Sequence, residues 1–455
     1  MGIFNPRSGY GQLRKIADIH ALYGGLAVDE SRQAFLMRLC KGLLLAGLVG
    51  YLLLECVVPA FGTISNDFPE YFTSATIVRN GEDAVKLYDG AWFREQIHRY
   101  RVGSQENPGE FKPYPPPTAL LLTPLTGLQP LTALRIVTVL SVLWLICAMW
   151  LLSRIFAWRA IDSALFVLSS GWALRSGLRF GHPYILISTL CLLGYYFYRK
   201  RMPWLAGLSL GVLAPIKYYP VILLAGFAAR RQWRVLLGGG IAITAVVLVS
   251  IGVLGWQVHL VFLLDVLFNH LAGHIDPGPA FTAVFQSFDT LFSRLFIFDP
   301  ARNPQPLVAA PLAATVAIVS TKSLLVLAAA AAVVRLAREP AASAIGPTIG
   351  ILGVLALLIA PGSGTYAVVL LWLPIALLID YFLSRRARVP AYLILGTYVL
   401  IGFIPYGHTY PFEGRGGLTV LAYPRLFLLL AMFVVCVYAV LRPRPLNQQA
   451  APMEA

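Results

Sequence analysis

Continuous apolar runs, rather than alternating ones, dominate this chain. Twelve are legible, at 39–62, 131–152, 161–177, 183–198, 202–216, 218–230, 235–255, 311–334, 341–360, 365–383, 389–405 and 420–441. About 20 apolar residues in a helix cross the roughly 30 Å hydrocarbon layer of a bilayer. Backbone groups in lipid must pair within their own segment or around a closed barrel, and unbroken apolar runs select helices. The pattern predicts an all-α, polytopic membrane protein of about 12 transmembrane helices. The four runs between 161 and 230 are short, which fits half-helices or one bent element as well as full spans.

Polar residues divide the runs unevenly. Arg14, Lys15, Arg32, Arg38 and Lys41 precede the first run, and Arg154 and Arg159 follow the second. Arg199, Lys200 and Arg201 come next, then Arg230, Arg231 and Arg234, then Arg335 and Arg338, Arg385, Arg386 and Arg388, and finally Arg442 and Arg444. With twelve spans every cluster falls on one side, which the positive-inside rule makes the cytoplasm. The expected organisation is a cytoplasmic segment 1–38, a transmembrane domain 39–441 and a cytoplasmic tail 442–455. Two extracytoplasmic loops, 63–130 and 256–310, hold most of the irregular polar sequence. Sites concentrate on loops carried by a rigid scaffold, so the chemistry is expected there.

Composition agrees. The 455 residues are 58% hydrophobic and 13% charged, with mean hydropathy +0.71, against about 25% charged in soluble domains. The net charge of +15 is spread over the loop clusters, so it reads as topology and not as nucleic-acid binding. Cys40, Cys56, Cys147, Cys191 and Cys436 lie in or beside apolar runs without CxxC spacing, which argues against metal or disulfide roles. The polar first 37 residues show no cleavage signature, so the first span reads as an uncleaved anchor.

The first loop begins with Asp67. Phe68, Tyr71, Phe72, Ala75 and Val78 then recur at helical spacing, and Trp92, Phe93, Ile97 and Tyr100 form a second amphipathic stretch. Both predict interfacial helices. Thr118–Leu128, bracketed by prolines and too short to span, predicts a re-entrant or interfacial hairpin. The second loop has its own aromatic amphipathic stretch at Phe281–Phe296, with His270, His274, Asp276, Gln286, Asp289 and Arg294 as polar chemistry.

Two readings fit Asp67. A carboxylate at the membrane boundary can accept a hydroxyl proton as general base. Asp67 with Glu70 three residues later also fits a capping-box variant at a helix start. The two are compatible. Arg175, Arg179, His182, Lys217, Arg294, Arg415 and Arg425 lie at run ends away from the basic clusters. They can grip a lipid phosphate by charge-assisted hydrogen bonds or snorkel toward headgroups. Lys217, in APIKYYP between two runs, is the foremost phosphate candidate. Lys322 within the eighth run either faces a cavity or sits near a boundary. GxxxxGK[ST], HExxH and Asp-x-Asp are absent, so no metal-bound nucleotide-sugar donor, metal or cofactor is expected. His270, His274 and Asp276 have metal-compatible spacing, but an ordinary interfacial pair explains them more simply.

Four stretches resemble glycosyltransferase family 87, a GT-C branch: DFPEYFTSATIVRNGEDAVKLYD (67–89), YPPPTALLLTPLTGLQPLTA (114–133), GHPYILISTL through APIKYYPVIL (181–223) and FQSFDTLFSRLF (285–296). The resemblance covers most of 40–440. It implies a bacterial inner-membrane enzyme that transfers a sugar, often mannose, from a polyprenyl-phosphate carrier to an extracytoplasmic glycolipid or glycan, with inversion. Asp67 would be the base. Lys217, Arg175, Arg179, His182, Arg294, Arg415, Glu70, Tyr71, Gln286 and Tyr366 would bind the donor phosphate or substrate. The family's Gln after Gly is His182 here, and its His-Tyr turn reads Gly364-Thr365-Tyr366. The competing class is a transporter or flippase of a lipid-linked substrate, which would place its polar residues at the bilayer midplane.

Overall fold

The computed structural model describes residues 32–65, 67–103, 109–271, 281–404 and 406–442. All regular structure among them is helical, apart from one isolated bridge between Asp299 and Asn303. Seven helices are long and apolar enough to cross a membrane: Arg32–Gly62 (α1), Pro130–Phe156 (α4), Trp233–Leu254 (α10), Pro311–Leu336 (α13), Ala341–Ile359 (α14), Thr365–Ser384 (α15) and Pro424–Leu441 (α17). An eighth is counted if Arg388–Phe403 (α16) and its sharply bent continuation form one span.

The expected number of about twelve is not reached among the described residues: one of the five missing runs is α16, and the other four lie between 160 and 230. Each run there is helical but short: Ala160–Leu168 (α5), Trp172–Arg179 (α6), Tyr184–Arg199 (α7), Pro203–Gly211 (α8) and Tyr219–Ala229 (α9). The breaks coincide with Ser-Ser-Gly, Gly-His-Pro and Ala-Pro-Ile-Lys sequences, which interrupt helices locally. Interrupted backbone at membrane depth is tolerated only against protein or a wet cavity. His182 and Lys217 occupy two of these breaks.

Helices α14 and α15 form the centre, with 78% and 83% of their apolar windows buried, against 17% for α13 and 28% for α10. Close approach is made by small residues. Gly207 and Gly211 of α8 lie against the backbone of Gly239 in α10, where any Cβ would collide; such small-residue seams let helix backbones touch in lipid.

In the first loop, Phe68–Arg79 (α2) is buried on nearly every face, including Phe68 through Ala75 and Ile77. Its aromatic residues are covered by protein, with Phe68 and Phe72 packed on Ala133 and Leu134 of α4 and Phe68 against Gly181. Gly90–Arg99 (α3) is amphipathic as expected, burying Phe93, Gln96 and Ile97. The proline-bracketed stretch forms two short turns, Pro116–Leu120 and Thr123–Leu125. Thr118 Oγ1 donates to the carbonyl of Ile216 at 3.4 Å, tying that hairpin to the break beside Lys217.

The second loop carries a helical run at 256–271 (α11) and Phe288–Phe296 (α12), which opens on a Ser287/Thr290 capping box. Lys322 of α13 meets the buried carboxylate of Asp289 in α12 at 2.7 Å, so it faces protein interior. His274 and Asp276 lie outside the described residues.

The helices have two unlike ends. Helix α9 starts beside Lys217 and finishes at Arg230; α15 starts at the 361–366 turn and finishes at Arg385. At the second end Arg385 pairs with Glu339 at 2.6 Å, Arg230 donates to the carbonyls of Leu336 and Glu339, and Lys41 pairs with Asp162 at 2.5 Å.

Candidate active site

Asp67 immediately precedes α2, where its carbonyl accepts from the N–H groups of Glu70 and Tyr71. Its carboxylate makes no capping hydrogen bond, and the capping box is not formed. Pro69, with no N–H to satisfy, sits in the first turn. The side chain instead turns toward the 180–183 break. His182 Nε2 lies 2.7 Å from Asp67 Oδ2, off the axis of a directed hydrogen bond, and the Tyr114 hydroxyl donates to the same oxygen at 3.4 Å. On its other side His182 Nδ1 hydrogen-bonds the Tyr71 hydroxyl at 3.1 Å. With that phenol as donor, the imidazole proton sits on Nε2, facing Asp67.

Aromatic rings wall the site. Tyr71 stacks on Tyr114 at 4.9 Å between centroids, and Tyr366 lies 3.8 Å from the His182 ring and 5.0 Å from Tyr184. Lys217 Nζ sits 4.0 Å from the Tyr114 centroid and 5.3 Å from that of Tyr184. No side chain or carbonyl among the described residues accepts a hydrogen bond from it. A desolvated ammonium over ring faces gains cation–π attraction but keeps its donors free.

The electrostatics separate the two carboxyls. Burial works to raise Asp67, yet the neighbouring His182 and then the charge of Lys217 and the Tyr114 hydroxyl hold it below the usual carboxylate range. Burial and the neighbouring Asp67 charge push Glu70 well above that range. Glu70 packs on Gly109, where a Cβ would overlap its carboxyl. The two carboxyls are thus pushed apart, Asp67 toward its ionised form and Glu70 toward its neutral one, the kind of split that in enzymes separates acid and base roles. His182 is pulled down by burial and back up by Asp67, so the two members of the pair push in opposite senses. We place the negative charge on Asp67, because Lys217 supports it independently. Burial draws Lys217 down to about 8, against the pull of Asp67 and Glu70.

Of the sequence-predicted site residues, Asp67, Glu70, Tyr71, His182, Lys217 and Tyr366 come together here. Arg175 stands apart, 3.5 Å from Glu55 and over Trp172. Arg179 ends α6, and its carbonyl accepts from Ser65. Arg294 pairs with Glu413 at 2.7 Å, Arg415 is exposed, and Gln286 accepts from the backbone N–H of Arg425. Tyr114 and Tyr184 were not singled out from the sequence. Their only signals were position, one opening the proline run and the other two residues after His182.

The site combines two carboxyls pushed in opposite directions, an imidazole and an ammonium with no acceptor among the described residues in an aromatic cage, inside a bundle with seven membrane-length helices among the described residues. That is the equipment of a membrane-embedded group-transfer enzyme. The sequence profile of glycosyltransferase family 87 matches residues 113–361, more than half of the 455. The chain belongs to glycosyltransferase family 87 and is a membrane glycosyltransferase. No curated protein and no solved structure matches it. The matched stretch contains Tyr114, His182, Tyr184 and Lys217, while Asp67, Glu70, Tyr71 and Tyr366 lie outside it.

Proposed function

We propose that the enzyme transfers a sugar, with mannose the first to test, from a polyprenyl-phosphate carrier to a glycolipid or glycan on the extracytoplasmic face. Asp67 is the base. An acceptor hydroxyl gives its proton to Asp67 as its oxygen forms a bond to the anomeric carbon. The bond from that carbon to the phosphate oxygen breaks, its electron pair leaving with polyprenyl phosphate. Attack opposite the leaving group inverts the anomeric centre. Lys217 meets the charge that grows on the leaving phosphate, a stabilisation worth most in a dry site. His182 holds Asp67 in place, and Glu70, being neutral, can donate to the incoming sugar.

One observation carries this reading: the ammonium of Lys217, caged by Tyr114 and Tyr184, has no hydrogen-bond acceptor among the described residues, beside an Asp67 held toward its ionised form. An anion completes it. A lipid-borne anion is favoured by an adjoining apolar groove of about 420 Å³, lined by Pro117, Leu121, Leu213, Ile216 and Val246. Ile216 is the residue before Lys217, and on this reading the isoprenoid chain of a donor whose phosphate meets the ammonium runs along that groove.

The test is transfer by the purified protein in lipid vesicles against a panel of polyprenyl-phosphate sugars, with and without a chelator. Turnover with at least one lipid-phosphate sugar, undiminished by chelator, is expected. Turnover only with a nucleotide sugar, or chelator loss restored by Mn²⁺, overturns the donor assignment.

A further inference from the structure

Arg425 opens α17 with a fully buried side chain. No carboxylate among the described residues lies within ion-pair reach of it, and its guanidinium is engaged by neutral oxygens. Nη1 donates to Thr365 Oγ1 at 2.6 Å; Nη2 donates to the carbonyls of Ser363 and, at 3.3 Å, Val284. Its backbone N–H donates to Gln286 Oε1 at 2.8 Å, and Tyr406 lies 5.6 Å beneath the charge. Nε has no acceptor. Burying a cation without a counter-ion costs several kcal/mol before compensation, and an apolar side chain would close the helix end without that cost. What the charge secures is the 361–366 turn, which is gripped at two residues by Arg425 and at a third by Ser287, whose Oγ donates to the carbonyl of Pro361 at 2.6 Å.

That turn delivers Tyr366. The Tyr366 ring folds back over Gly364: a Cβ at 364 would lie 2.5 Å from its Cζ and 2.9 Å from its hydroxyl oxygen. Gly364 has φ −70° and ψ 161°, a backbone any residue adopts, so glycine is needed for room and not for conformation. Folded back, the ring lies 3.8 Å from that of His182, whose Nδ1 meets the Tyr71 hydroxyl.

We propose that Arg425 and Gly364 are one seating device for Tyr366, and that Tyr366, so seated, is a positioning residue that holds the His182 imidazole against Asp67. Arg425 is sealed from any substrate and acts only through the turn. The inference rests on the role proposed for Asp67.

The experiment is a set of double-mutant cycles on the full-length enzyme in lipid vesicles, read as kcat and donor KM separately. Gly364→Ala should lower kcat about 10-fold or more with donor KM little changed, since small misplacements at a reacting centre cost up to roughly 10²-fold. Thr365→Val, which removes the hydroxyl that accepts from Arg425, should act in the same sense, and Thr365→Ser should restore activity. In a Tyr366→Ala background, adding Gly364→Ala or Thr365→Val should cost nothing further, because the ring they misplace is gone; such non-additivity marks residues that act as a unit. Wild-type kcat for Gly364→Ala, or additive losses in the Tyr366→Ala background, would overturn the proposal. Arg425→Gln extends the cycle if it folds, and the two turn variants decide the matter if it does not. Full activity of Asp67→Asn would instead overturn the catalytic reading, so the two failures are distinguishable.

Discussion

The two ends of the helix bundle use the same residue types in opposite ways. Ion pairs occur at both, Arg294 with Glu413 at the site end among them; at the basic end Arg385 meets both oxygens of Glu339 at 3.2 and 2.6 Å, Arg230 closes on two carbonyls, and Lys41 meets Asp162. At the other end Lys217 has no acceptor among the described residues, Glu70 is pushed toward its neutral form, and His182 lies between Asp67 and Tyr366. Satisfied charges hold elements together. Unsatisfied ones, buried at a cost, are held ready for something that completes them. The contrast assigns structure to one end and chemistry to the other.

The largest effect belongs to Asp67. Asp67→Asn keeps shape and the α2 start but removes the base, and kcat should fall by roughly 10²-fold or more, with the fold intact by thermal unfolding. Wild-type turnover at equal expression would end the catalytic role. Lys217→Ala comes next. Losing one charge-assisted hydrogen bond to a desolvated phosphate costs about 1.5–3 kcal/mol, so kcat/KM should fall by roughly 10- to 100-fold while Tyr114→Phe, which removes a 3.4 Å contact, falls less.

The pH profile sharpens the same point. Lys217 carries its charge below its folded pKa of about 8 and loses it above. kcat/KM, which reports the free enzyme, should therefore decline as pH rises through about 8. Lys217→Arg, which stays protonated throughout, should move that limb upward; an unmoved limb would assign it to another group.

At the basic end the expected effects are on stability alone. Glu339→Gln weakens the pairing with Arg385 and should cost on the order of 1–3 kcal/mol, with kcat per folded molecule unchanged. The smallest effect is at Arg231, which follows α9 with φ 53°. Left-handed backbone penalises a β-carbon by roughly 1–2 kcal/mol, so Arg231→Gly should stabilise slightly; a clear loss would show that its charge matters more than its strain.

Much of this was legible in the sequence. Long apolar runs and Arg clusters give the helices and their two ends because lipid imposes a single strong rule on both. Of the group at the site, Asp67 at the loop start and His182 and Lys217 at run ends stood out as polar groups in the pattern, whereas Glu70, Tyr71 and Tyr366 entered only with the family resemblance, and Arg175, Arg294 and Arg415, also at run ends, lie elsewhere. Three features were not legible. The burial of α2 depends on which elements cover it, and aromatic spacing alone cannot distinguish a lipid-facing ring from a core ring. Asp67 as a helix cap is locally reasonable, and only the tertiary approach of His182 draws the carboxylate away. Arg425 and Arg294 look alike as cations at run ends, yet one is sealed among neutral oxygens and the other paired with Glu413; their partners lie 60 and 119 positions away.

The contrast between the ends requires that they face different compartments. In a background lacking the five native cysteines, Lys86→Cys and Pro304→Cys report the site end and Arg338→Cys the basic end; all three positions are exposed. With a membrane-impermeant maleimide on intact cells, positions 86 and 304 should label at once and position 338 only after lysis. Labelling of 338 in intact cells, with 86 and 304 protected until lysis, would put the site in the cytoplasm and contradict the account.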